Sequence, residues 1–105
     1  MTLIPIMVAS LQKKVRAVNY GRLIAKPASY ADRVVAVSGL ATELSYASGS
    51  PRFVLTSDSG DCYTVLCDNL LRVSDGGSVS LLGTLTGETD DSAGYPTLTL
   101  EAFVS

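Results

Sequence analysis

The residues of this chain that could do chemistry are few, and their spacing argues against most reactions. Cys62 and Cys67 are its two thiols. On a strand, that odd spacing points the two side chains to opposite faces. They can then share neither a disulfide nor a metal ion. One core thiol and one surface thiol is the expected arrangement. The chain has no histidine, the commonest general base and metal ligand. Glu88, Asp90 and Asp91 form an acidic cluster, but a calcium site wants more oxygen ligands at set positions in a stiffer loop. A solvated turn is the simpler reading. Gly76-Gly77 lacks the lysine and the helix of a phosphate loop. Ser29, Ser38 and Ser78 have no base partner that the sequence suggests. The expectation is a protein that is not an enzyme, with no metal and no cofactor.

The elements that would position any site are strands. Arg33 to Glu43 reads RVVAVSGLATE, and Gly77 to Glu88 echoes it as GSVSLLGTLTGE. Val35, Val37, Gly39, Ala41 and Thr42 answer Val79, Leu81, Gly83, Leu85 and Thr86. Apolar residues at every second position put one face on a core. A glycine inside such a run is tolerated where the strand bends, bulges or lets another backbone come close. Two such strands in 105 residues predict a sheet coiled onto itself.

Taken in order, residues 1–18 form a basic leader. Val8, Leu11, Val15 and Val18 fall on one helical face. Val15 to Val18 also alternate as a short strand would, and the helix is the favoured reading. Asn19 can cap a second helix, Tyr20 to Lys26, which Pro27 stops. Tyr30 is expected against the mouth of a barrel that occupies residues 19–105. A first strand covers 33–44. A second, Arg52 to Ser57, has Phe53 and Leu55 inward. Asp58-Ser59-Gly60-Asp61 makes a hairpin turn. A third, Cys62 to Asp68, has Tyr63, Val65 and Cys67 inward. Asn69 to Val73 could form one helical turn that plugs the barrel. A fourth strand covers Ser78 to Glu88. A fifth, Thr97 to Val104, has Leu98 and Leu100 inward and Thr97, Thr99 and Glu101 outward.

Five strands, a plug between the third and fourth, and glycines in the first and fourth predict an all-β, five-stranded OB-like Greek-key barrel. Residues 18–104 resemble the small bacterial OB-fold domains of the tRNA-anticodon-like group. The likeness rests on the helix before Pro27-Ala28-Ser29-Tyr30, on Val35-Ala36-Val37-Ser38-Gly39, on Asp58-Ser59-Gly60 and on the second glycine strand. That resemblance implies a fold and a nucleic-acid-binding type of surface. It implies no activity.

Length and composition agree with one folded domain. Such a length buries about two-thirds of the unfolded chain's surface. Hydrophobic residues make 47% and charged residues 17%, which excludes intrinsic disorder. Net charge is −2 and unevenly spread. Residues 1–33 carry six cations against Asp32 alone, and residues 34–105 carry Arg52 and Arg72 against nine acids. No apolar run reaches the roughly 18 residues that span a bilayer. Leu3 to Ala9 lacks the positive start of a secretory signal. A cytoplasmic location is expected, or export if a signal has been removed.

An OB barrel binds through the outward face of strands two and three and the loops beside it. That face is expected to hold Arg52, Val54, Thr56, Cys62, Thr64 and Leu66. Single-stranded nucleic acid needs aromatic platforms and basic residues there. Tyr46, Arg52 and Tyr95 are the candidates for it, but the acidic barrel repels phosphate. Val54, Thr64 and Leu66, with Leu82, suit a protein partner or self-association instead. Met7, Val8 and Leu11 of the leader could pack on a neighbouring barrel.

Overall fold

The computed structural model describes residues 18–45, 51–68, 70, 73–90 and 94–104. These form helix α1 (Tyr20–Ala25), a 3-10 turn (Pro27–Tyr30) and strands β1 (Val34–Ser45), β2 (Arg52–Ser57), β3 (Cys62–Leu66), β4 (Ser78–Thr89) and β5 (Pro96–Phe103). The strands close in the order β1-β2-β3-β5-β4. All pairs are antiparallel except β3 with β5. This is the expected OB-like barrel. The helix expected within the leader, from about Ser10, lies outside the described residues, apart from Val18, which packs against the core.

Closure depends on two strands that change partner midway. β1 pairs with β4 over Val34–Leu40 and with β2 from Gly39 to Ser45. Gly39 therefore sits at the hand-over, opposite both Ser57 and Val79. A Cβ there would overlap the Thr56 carbonyl, so no other residue lets the strands come so close. β4 likewise pairs with β1 over Ser78–Thr84 and with β5 from Leu81 onward. Gly83 lies in that overlap, where a Cβ would meet Thr99 O at 3.2 Å and Leu98 Cβ at 3.3 Å. The sequence echo is thus a pairing. Val35 faces Gly83, Val37 faces Leu81 and Gly39 faces Val79.

The core holds Phe53, Leu55, Val65, Leu81, Leu85 and Leu98, each 1% exposed or less. Leu23 of α1 joins it, as do Leu70 and Val73 from the β3–β4 connection. The Val73 N–H donates to Leu70 O at 3.1 Å, and these two residues fill the core from that connection. The connection is tied to β1 by Gly76 N–H to Ala41 O (2.6 Å) and Ala41 N–H to Gly77 O (2.9 Å).

Three expectations need correction. β3 ends at Leu66 instead of Asp68, because β2 starts at Arg52 and offers no ladder beyond it. Only the Cys67 N–H continues, to Pro51 O at 3.1 Å. Leu82 is buried at 2% and is not an exposed aliphatic residue. The β4–β5 register shifts between Leu82 and Gly83, and such a bulge breaks the simple in-out alternation. Thr97, placed outward, is also buried.

Candidate binding face

Pairing across β1, β2, β3 and β5 arranges the residues of their outward phase in rows. Leu40, Thr56 and Cys62 form one row, and Thr42, Val54, Thr64 and Thr97 a second. Arg52, Leu66 and Thr99 form a third. The face is mainly threonine and aliphatic, with Arg52 its one cation among these residues. Leu40 is 49% exposed at its edge. Leu40 was not among the expected residues of this face. Its signal was present, since Leu40 occupies the outward phase between Gly39 and Ala41.

Val54, Leu66 and Arg52 are half-buried on this face, as their alternation requires. Thr64 differs. It points outward but is buried at 2%, and its hydroxyl donates to Asp90 Oδ2 at 2.9 Å. Asp90 holds its hydroxyl from the end of β4, so Thr64 is not an exposed docking residue. The β4–β5 loop is closed by Asp90 N–H to Tyr95 O and Gly94 N–H to Asp90 O, both 2.7 Å. Asp90 is therefore a structural acceptor. Among the described residues no three His, Cys, Asp or Glu side chains gather as a metal site.

The loop delivers Tyr95 to the rim of the face, next to Cys62. The Cys62 thiol raises the Tyr95 pKa, with desolvation, Glu43 and Asp90 adding to it. Glu43 reaches this rim from β1, with a positive φ of 51° that turns the strand end. Tyr46 lies outside the described residues, as do Met7, Val8 and Leu11.

Cys62 is also where α1 attaches. Tyr20 Oη donates to Cys62 O at 2.6 Å and accepts from Cys62 N–H at 3.3 Å. Its ring meets Tyr63 edge-on at 5.3 Å. Burial pushes the Tyr63 phenol up to about 12, helped by Asp61 and Tyr20. Burial also raises Tyr20. The face is thus a partly aliphatic surface with the single cation Arg52 on it and Glu43, Asp61 and Asp90 around it. It offers hydrogen bonds and apolar contact. Among the described residues no helix is long and apolar enough to cross a membrane. No protein-family model matches this chain, and no curated protein matches it either.

Proposed function

We propose that this chain is a non-enzymatic binding module whose β1–β3 outward face takes a protein segment, first of all from a second copy of itself. The observation that carries this reading is the row chemistry of the face. Leu40, Val54 and Leu66, one in each row, provide apolar contact across it, and Glu43, Asp61 and Asp90 stand around it. A matching partner needs aliphatic residues flanked by cations. The chain's own residues 1–16 have that composition, with Met7, Val8 and Leu11 ahead of Lys13, Lys14 and Arg16. One copy's leader on another copy's face joins unlike surfaces, a head-to-tail contact.

Single-stranded nucleic acid is the second reading. Tyr95 at the rim and Arg52 on the face favour it, and so does the likeness to the tRNA-anticodon-like group. One cation among carboxylates is a poor track for a phosphate backbone.

Light scattering on the full chain tests the first reading. The expected mass exceeds one chain and falls to one chain in Leu40→Asp/Val54→Asp and in a form lacking residues 1–14. A single-chain mass for the full-length protein at every concentration tried contradicts self-association. Anisotropy of a labelled single-stranded oligonucleotide, run beside it, supports the second reading if binding is found and weakens steeply with salt.

A further inference from the structure

We propose a second site, separate from the sheet face: a cleft at the C-terminal end of α1 that takes a phosphate group joined to a planar ring, as in a nucleoside monophosphate or the terminal nucleotide of a single strand. The cleft measures about 360 Å³ and is lined by Arg22, Ala25, Lys26, Ser29 and Tyr30. That volume lies within the roughly 300–1,000 Å³ of small-ligand sites. Arg22 and Lys26 bring two like charges to one side of a short helix end. Like charges four residues apart repel, and an anion between them removes that cost.

Arg33 does not line the cleft but sits over Tyr30, its guanidinium 5.2 Å from the ring centre, and adds positive charge beside it. Arg22, Lys26 and Arg33 form no ion pair among the described residues. Asp32 is the one carboxylate in residues 18–33. The guanidinium fork of Arg22 matches two phosphate oxygens, and Lys26 supplies a point charge. The Ser29 hydroxyl is a further donor. The Tyr30 ring offers the surface on which a base stacks.

The site is held in shape before any ligand arrives. Lys26 N–H donates to Arg22 O at 3.0 Å and Ser29 N–H to Lys26 O at 3.1 Å. Leu23 anchors the helix in the core at 1% exposure. The 3-10 turn lies against β4, where Gly87, at φ 88°, leaves no room for a Cβ beside Ala31.

NMR titration of the full chain with adenosine monophosphate, adenosine and inorganic phosphate tests the proposal. Adenosine monophosphate should shift resonances of residues 22–33, adenosine should not, and inorganic phosphate should bind at least tenfold more weakly than the nucleotide. Arg22→Ala/Lys26→Ala should weaken nucleotide binding at least tenfold with an unchanged melting temperature, since both side chains are exposed. Tyr30→Leu should bring the nucleotide down to the level of phosphate. A 5′-phosphorylated single strand that outbinds the mononucleotide identifies a strand end as the source, and the reverse order identifies the free nucleotide. No shift at millimolar nucleotide overturns the proposal. So does equal binding by the double variant, or phosphate binding as tightly as the nucleotide. None of these readouts depends on self-association through the sheet face.

Discussion

Gly39 and Gly83 look alike in the sequence, yet the structure ranks them. At Gly39 an added Cβ overlaps backbone of β2, which has nowhere to go. At Gly83 the nearest atoms stand 3.2–3.4 Å away, and the Leu98 side chain can yield slightly. Gly39→Ala is therefore expected to cost on the order of 3 kcal/mol or more. Gly83→Ala should cost about 1–3 kcal/mol, an overpacking penalty, with Gly83→Val at the upper end. Urea denaturation of both variants checks the order, and equal loss would contradict the partner change at Gly39. The sequence showed that both glycines mattered, because each interrupts an alternating run. It could not show which was tighter, since that depends on the strand lying across from each. Thr64 carries the same lesson. Its outward phase was legible, but its contact with Asp90 was not, because Asp90 is 26 residues away.

At the scale of elements, α1 is a lid latched at two points. Asn19 caps it through Oδ1 to the Arg22 N–H at 3.0 Å, and this cap was readable from Asn19 and the stop at Pro27. The latch was not. A six-residue helix is too short to stand alone, so its stability comes from Leu23 in the core and Tyr20 on the Cys62 backbone. Leu23→Ala should cost about 2–5 kcal/mol as a core truncation. Tyr20→Phe should cost about 0.5–1.5 kcal/mol for the lost hydrogen bond. Hydrogen exchange should show the Tyr20–Ala25 amides opening faster in both variants. Unchanged protection there would mean that the helix is held by something else.

For the whole molecule, the tyrosines set a limit on alkaline stability. Tyr63 ionises at about 12 in the folded protein against an ordinary value of 10.0, chiefly because it is buried. A phenol that holds its proton more tightly when folded stabilises the fold fully below pH 10. That contribution fades as pH rises through 12. Tyr20 shifts in the same direction, also through burial. Stability should therefore fall between about pH 10 and 12, and Tyr63→Phe should flatten that fall. A urea midpoint series across this window checks it, and identical slopes in variant and parent would refute the assignment. The sequence by itself determined where the five strands lie, their inward faces apart from Leu82 and Thr97, and the hairpin turn at 58–61, because alternation, glycine and turn chemistry act over a few residues. It also placed the charge, basic early and acidic later. Tertiary structure alone decided which outward residues stay exposed, where Tyr20 docks and that Arg22, Lys26 and Tyr30 share a cleft. These depend on which distant segments pass over one another once the barrel closes, and no local pattern records that.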